Sequence, residues 1–104
     1  MPHLTANGRR LFYTDQQPDA PGPALLLLHG AGGSHLVWPG ALRRLADTRV
    51  LALDLPGHGR SDPPGRRLMA HYAATVSDFI AAVGAPEIVL AGHSMGGAIA
   101  LTLA

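Results

Sequence analysis

The chain has 104 residues, a length typical of one domain, and its 47% hydrophobic content is ordinary for a globular protein. Its formal charge of +1 gives no reason to expect a nucleic-acid partner. The absence of cysteine excludes disulfides and thiolate metal sites, and the absence of lysine excludes a Walker A phosphate loop. With no signal peptide and no apolar run of transmembrane length, we expect a cytoplasmic protein that does not enter a membrane.

The first element is predicted to be a hairpin. Asn7-Gly8 is a strong two-residue turn signal, and short alternating segments lie on both sides of it. We therefore expect a small antiparallel pair at a sheet edge. Residues 16–23 contain three prolines and a glycine, which predicts a loop.

Strands and helices alternate through the rest of the chain. Continuously apolar runs at residues 24–28, 50–53 and 88–91 are typical of parallel strands that are covered on both faces. One helix is predicted from about Pro39, with an apolar face formed by Trp38, Leu42 and Leu45, and a second over residues 68–83, ended by Gly84 and Pro86. This alternation predicts an α/β fold with a mainly parallel sheet and flanking helices.

The most informative segment joins the last strand to the last helix. Gly92, Ser94 and Gly96 fit G-x-S-x-G, the nucleophile elbow, in which a strained turn lifts a serine clear of the strand and glycines avoid collisions with the backbone. The bare motif also arises by chance in a glycine-rich chain, where it would be a turn with a surface serine. The apolar strand before it and the apolar helix after it favour the elbow.

The glycine loop at residues 29–34 has two interpretations. Strand, Gly30-Ala31-Gly32, helix and a strand ending in Asp54 resemble a dinucleotide-binding unit. However, the third glycine of that motif would fall at His35, whose side chain would obstruct close helix–strand packing. The loop can instead hold a backbone N–H that faces the serine, to stabilise an oxyanion together with the N–H of Met95.

Three motifs in order resemble the α/β-hydrolase superfamily: His29-Gly30 with the glycines behind it, residues 54–62, and residues 92–97. The resemblance implies that Ser94 is the nucleophile, that Ala31 and Met95 are the oxyanion-hole donors, and that Gly92 and Gly96 permit the elbow. It implies an ester, thioester or related acyl substrate. We expect no cofactor, and no metal either, because no pair of residues has helical ligand spacing with a third candidate nearby. Serine at position 94 disfavours the related dehalogenase and epoxide-hydrolase branches, which carry aspartate there.

The chain departs from that pattern after Ser94. The family's catalytic acid and histidine follow the nucleophile, whereas residues 95–104 contain neither. We therefore expect residues 1–104 to be the amino-terminal portion of one α/β-hydrolase domain, truncated after the elbow. The alternative is an inactive truncated fragment, or a non-catalytic half that needs a complementing segment. The strand at 88–91 would then form an exposed apolar edge, which predicts self-association.

The remaining histidines and acids are predicted to support loops. We expect His29 and His58 to brace loops through hydrogen bonds and His93 to line the turn. Asp54 and Asp62 are expected to organise backbone N–H groups of their own loop.

Overall fold

The structure is a computed structural model that describes residues 3–6, 8–65 and 68–104. The predicted turn residue Asn7 lies outside the described residues. Within those ranges, no helix is both long and apolar enough to cross a bilayer. The strands are β1 (His3–Ala6), β2 (Arg9–Gln16), β3 (Ala24–Leu28), β4 (Val50–Leu53) and β5 (Ile88–Gly92); the helices are α1 (Gly40–Arg43), α2 (Met69–Val83) and α3 (Met95–Leu103), with a 3₁₀ turn at His35–Val37.

The strands form one mixed sheet in the order β1-β2-β4-β3-β5. β1 and β2 are antiparallel at one edge, as predicted, and β2 is also antiparallel to β4. β3 runs parallel to both β4 and β5, with Leu28 in register with Leu53 and Gly92. The α/β prediction is therefore confirmed. This register brings the loops after β3, β4 and β5 to the same edge of the sheet.

The core lies on both faces of the central strands. Because side chains alternate across a strand, β3 and β4 send one set toward α2 and α3 and the other toward α1. The larger cluster contains fully buried Leu26, Leu28, Leu51, Leu53, Val76, Phe79 and Ile99. The smaller cluster contains Leu27, Val50 and Ala52, with Trp38 and Leu42 packed against it.

The helix predicted from Pro39 is wrong in length. α1 has only four residues, and Pro39 is its N-cap instead of its first residue. Trp38 is extended (φ −80°, ψ 136°), as steric conflict with a following proline requires. Arg44 already leaves helical geometry (φ −122°, ψ 37°), so Leu45 lies outside the helix. The apolar spacing at Trp38 and Leu42 is accounted for by packing on the sheet.

The second predicted helix is confirmed as α2, Met69–Val83, which buries Tyr72, Val76 and Phe79 among others. Gly84 follows it in the left-handed conformation, with φ 74°. This conformation is common directly after a helix and favours glycine, which has no Cβ.

A buried carboxylate joins the loops after β3 and β4. Asp54, which directly follows β4, has no exposed surface. Its Oδ1 accepts hydrogen bonds from the backbone N–H of His35 at 2.6 Å and from the Nδ1 of His35 at 2.8 Å. Its Oδ2 accepts from the N–H of Arg60 at 2.9 Å. A Cβ added at Gly59 would lie 2.2 Å from Oδ2, so the loop approaches the carboxylate closely because residue 59 has no side chain.

The predicted role of Asp54 is thus confirmed and is wider than expected, since it also holds His35 in another loop. The prediction for Asp62 is wrong in its partner. Its carboxylate accepts a hydrogen bond from the N–H of Arg10, in β2, at 3.2 Å, and its own N–H donates to the carbonyl of Arg10 at 2.9 Å. Asp62 therefore ties its loop to β2.

We expect Asp54→Asn to lower the free energy of unfolding by about 2 kcal/mol, because the amide group would direct a donor at N–H groups that now donate to a carboxylate. Asp78→Asn, on an exposed position of α2, is the matched control and is expected to be nearly neutral. Urea unfolding of both variants at neutral pH measures the difference. Equal losses in the two variants would contradict this role for Asp54.

Candidate active site

Ser94 occupies the corner between β5 and α3. β5 ends at Gly92, α3 begins at Met95, and Ser94 between them has φ 56° and ψ −116°. This combination is unusual for a residue with a Cβ and costs of order 1–3 kcal/mol. The side chain is exposed and makes no capping hydrogen bond to its own helix. Within the described residues, the hydroxyl is therefore exposed at the turn and is not bound to its own helix.

The glycines on either side of Ser94 are required by close backbone contacts. A Cβ at Gly92 would lie 2.2 Å from the carbonyl oxygen of Gly96. A Cβ at Gly96 would lie 1.9 Å from the carbonyl oxygen of Leu28 and 2.7 Å from that of His29. Both positions are much closer than real Cβ contacts allow, so the corner can close only with glycine at each.

The glycine loop after β3 lies directly beside this corner. A Cβ at Gly30 would be 3.1 Å from the Cβ of Ser94 and 3.3 Å from the carbonyl oxygen of His93. A cleft of about 210 Å³ lies between loop and corner; it is lined by Gly30, Ala31, Gly33, Val37, His93 and Ser94. The structure thus brings Ser94 together with the loop singled out in the sequence, and His93 lines the turn as expected.

Several backbone N–H groups near the cleft form no hydrogen bond within the described residues, and those of Ala31 and Met95 are among them. Within the described part of the chain, no backbone or side-chain hydrogen bond uses the N–H of Ala31 or that of Met95. By contrast, the N–H of Gly96 donates to the carbonyl of His93 at 3.0 Å, and that of Gly33 donates to the carbonyl of Gly30 at 3.1 Å. Free N–H groups at the start of a helix and in an exposed loop can bind a negatively charged oxygen.

His29 holds the base of the loop in one orientation. It is fully buried, and its Nε2 accepts a hydrogen bond from the N–H of Leu55 at 3.0 Å. Its Nδ1 must then carry the proton, which it donates to the carbonyl of Gly30 at 2.7 Å. Burial lowers the pKa of His29 below its usual 6.5 and outweighs the hydrogen bond to the carbonyl of Gly30, which raises it. Both hydrogen bonds of the ring suit its neutral form, with the proton on Nδ1.

His58 braces its own loop by donating from Nδ1 to the carbonyl of Pro56 at 3.0 Å, and its ring lies 5.1 Å from that of His29. The prediction that His29 and His58 support loops through hydrogen bonds is confirmed. Neither ring is free to serve Ser94. Among the described residues, no histidine forms a hydrogen bond with the hydroxyl of Ser94, including the adjacent His93.

His35 is the one buried histidine whose role the sequence analysis missed. It was considered only as an obstacle to a dinucleotide site. The sequence predicts a parallel strand before each of the two residues but not that these strands are neighbours, and it is the adjacent carboxyl ends of β3 and β4 that bring His35 to Asp54. Their pairing fixes the segment directly after the glycine loop, including Val37, which lines the cleft.

A larger cleft, of about 550 Å³, lies away from Ser94 beside Asp62, His71 and Ala74. Arg9 also lines it, but its guanidinium donates to the carbonyl of Pro64. Among the described residues that line this cleft there is neither a nucleophile candidate nor a buried polar group directed into it. It does not compete with the Ser94 cleft as a candidate active site.

We expect Gly96→Ala to lower the free energy of unfolding by about 3 kcal/mol, because the new methyl group would force α3 away from Leu28. Gly97→Ala is a matched control one residue later, since its Cβ would meet its nearest neighbour, the carbonyl oxygen of Gly92, at an ordinary 3.4 Å. That change is expected to be neutral or slightly stabilising, because alanine favours a helix. Denaturant unfolding compares them, and similar losses at both positions would contradict the close contact.

We expect the free energy of unfolding to fall as the pH drops below about 6.5. Below that pH His29 takes up a proton in the unfolded chain before it does so in the folded one. Its contribution to the free energy of unfolding is therefore fully present above the pKa of the unfolded chain, and it is lost as the pH falls toward the lower pKa of the folded chain. His29→Gln should flatten this dependence, whereas His71→Gln, at an exposed position of α2, should preserve it. Unfolding from pH 5 to 8 measures both variants; NMR titration of His29 giving a pKa at or above 6.5 would contradict the prediction.

Comparison with known proteins identifies the family. Residues 23–104 match the family model described as the alpha/beta hydrolase fold. The chain is 39% identical over 85 residues to an uncharacterized protein of Mycobacterium tuberculosis, covering 80% of this chain and 25% of that protein. It is 42% identical over 88 residues to protein phosphatase methylesterase 1 of Bos taurus, covering 77% of this chain and 23% of the relative.

The solved structures agree. The crystal structure of a bacterial membrane phospholipase A superimposes with a TM-score of 0.83 at 33% identity, over 97% of this chain and 33% of the other. By the coverage of the two sequence relatives, the chain spans about a quarter of the length of the curated relatives it matches. A family model matching most of its length, together with the Ser94 corner and the sheet that carries it, shows that the chain belongs to the α/β-hydrolase fold family.

Proposed function

We propose that this chain supplies the nucleophile and the oxyanion hole of a serine hydrolase acting on an ester or related acyl substrate. The observation that carries the proposal is the exposed hydroxyl of Ser94 on a strained corner, facing the glycine loop across a small cleft. In this role Ser94 is the nucleophile, Ala31 and Met95 are the backbone donors, and Gly92 and Gly96 allow the corner to form.

The chemistry assigned to these groups is acyl transfer. A base takes the proton of the Ser94 hydroxyl while its oxygen bonds to the carbonyl carbon of the substrate. The N–H groups of Ala31 and Met95 stabilise the negative charge that develops on the carbonyl oxygen. The bond to the leaving oxygen then breaks, and that oxygen takes the proton back from the base and leaves as the alcohol. Water next gives a proton to the same base, attacks the acyl carbon and releases the acid, and the proton returns to Ser94. One such N–H group is typically worth about 2.7–4 kcal/mol of barrier.

Similar proteins support an ester or related substrate. One relative is named a methylesterase and one similar structure is named a phospholipase. Serine at position 94 distinguishes this chain from hydrolases that attack through aspartate. No acid or histidine follows Ser94 in residues 95–104, so the general base is the component that the proposal does not assign to this chain.

A second candidate rests on that same observation. Without a base, the chain is either an inactive fragment or a half that acts only with a complementing segment. Sequencing the same reading frame past codon 104 distinguishes the two candidates. An aspartate or glutamate followed by a histidine supports the enzyme, and a stop codon supports the fragment.

We expect the 104-residue chain alone to hydrolyse p-nitrophenyl butyrate at close to the uncatalysed rate, because free serine is a weak nucleophile. Added imidazole can serve as the missing base. With imidazole present, p-nitrophenyl butyrate should acylate Ser94 at least about a hundredfold faster than the exposed Ser77 of α2. Peptide mass spectrometry measures the acylation of each serine. Ser77 is the internal control because both hydroxyls meet the same reagents.

Two variants separate nucleophile from oxyanion hole. Ser94→Ala should abolish the specific acylation, and Ala31→Pro should slow it by about a hundredfold by removing one N–H donor. Far-UV circular dichroism verifies that each variant is folded. Equal acylation of Ser94 and Ser77 would overturn the proposal, as would rapid turnover by the unassisted chain that Ser94→Ala leaves unchanged.

A further inference from the structure

Val37 forms an apolar wall of the cleft that contains Ser94. Among the described residues that line this cleft, Val37 carries the largest apolar side chain, since the other apolar members are glycines and Ala31. Glycine and alanine add little surface of their own. The methyl groups of Val37 are therefore the largest single apolar surface that this lining offers to a group bound at Ser94.

Val37 is held in place by the segment that follows the glycine loop. Its N–H donates to the carbonyl of Ser34 at 3.1 Å, within the 3₁₀ turn. In the same turn, the backbone N–H and the ring of His35 both donate to the buried carboxylate of Asp54. The Cγ1 of Val37 lies against Gly33, where an added Cβ would approach it to 3.0 Å. Because a β-branched side chain also has few rotamers, Val37 presents a fixed surface to the cleft.

The direction of the acyl chain follows from the step in which the alcohol leaves. In the proposed reaction the acyl carbon is bonded to the oxygen of Ser94, and the leaving oxygen takes its proton from the base. The histidines that follow β3, His29 and His35, already form hydrogen bonds within the fold. The base and the leaving oxygen are therefore placed away from the loop. The remaining substituent of the carbonyl, the acyl chain, then extends along the loop toward Val37.

We propose that Val37 is a specificity-determining residue that contacts the acyl chain of the substrate, and that the site prefers an apolar acyl chain. The proposal rests on the function proposed for Ser94 and adds a substrate class to it. One methylene group in a hydrophobic pocket typically changes the rate by about tenfold or more. Because Val37 covers the chain from one side, the expected preference is smaller, about fivefold for the two extra methylene groups of a butyryl chain over an acetyl group.

A pair of esters that differ only in the acyl chain tests this contact. Imidazole-assisted acylation of Ser94 in the 104-residue chain is measured by peptide mass spectrometry with p-nitrophenyl acetate and with p-nitrophenyl butyrate. Val37→Thr keeps the shape of the side chain and replaces a methyl group by a hydroxyl group. It should therefore lower the ratio of the butyrate rate to the acetate rate by about fivefold.

Leu36→Thr is the matched control. Leu36 lies in the same 3₁₀ turn and is exposed, but it is not among the described residues that line the cleft. This change also replaces an apolar side chain by threonine, and the ratio of the two rates should stay as in the unaltered chain. Circular dichroism verifies that both variants are folded.

NMR spectroscopy tests the contact without any substitution. After imidazole and ester are removed, a butyryl group stays on Ser94, because its hydrolysis also needs a base. With a butyryl group labelled with carbon-13, nuclear Overhauser effects should connect its protons to the methyl groups of Val37 and not to those of Leu36. Their absence at Val37 would contradict the contact.

The outcomes separate this proposal from the one on which it rests. Specific acylation of Ser94 with the same ratio of rates in the unaltered chain and in Val37→Thr would overturn the role of Val37 alone. A change in preference that follows the alcohol of the ester, at a constant butyryl group, would overturn it as well. Equal acylation of Ser94 and Ser77 in the unaltered chain would overturn the proposed function, and the role of Val37 with it.

Discussion

The contact on which the site depends is the approach of α3 to the end of β3. Gly96 packs so closely on the carbonyl of Leu28 that any side chain would collide with it. This contact fixes where α3 begins, and therefore where Ser94 lies relative to the loop that follows β3. The positive φ of Ser94 follows from this fixed start of α3, because the chain must turn from β5 into the helix at this position. The turn from strand to helix is completed in two residues, His93 and Ser94, and core packing offsets a cost of order 1–3 kcal/mol.

A buried network of hydrogen bonds holds the loops after β3 and β4, as close packing holds the turn at Ser94. His29, after β3, accepts a hydrogen bond from the N–H of Leu55, after β4. The carboxylate of Asp54 joins the same two loops, because it accepts from the N–H of His35 in the first and from that of Arg60 in the second. Burying these groups is unfavourable unless each is hydrogen-bonded, and here each is. Because other conformations of the glycine-rich loop would break these buried hydrogen bonds, the network favours one conformation of the loop. An oxyanion site needs such preorganised donors, since reorganising them during the reaction would raise the barrier.

Sequence patterns predicted the parts that depend on local sterics. The elbow at Gly92 and Gly96, the end of α2 at Gly84 and the buried strands each have a cause within a few residues, and the structure contains all of them. The prediction that Asp54 organises its loop was confirmed, but His35 was missed as its partner, because their contact depends on the register of β3 and β4. The helix from Pro39 was overextended because apolar spacing at Trp38 reflects packing on the sheet rather than helical periodicity. The roles of Ser94, Ala31 and Met95 remain predictions.

The two halves of the proposed chemistry have different structural requirements, and this chain satisfies one of them. Stabilising an oxyanion needs backbone N–H groups held by packing and turns, which a local segment of sheet, loop and helix can supply. Removing the proton of Ser94 needs a side chain aimed at its oxygen, and His29, His58 and His35 already form hydrogen bonds with Gly30, Pro56 and Asp54. Recruiting the buried His29 or His35 would leave a buried donor or acceptor unpaired, at a cost of about 1–3 kcal/mol. A base that approached Ser94 from the open side of the cleft would leave this loop network intact.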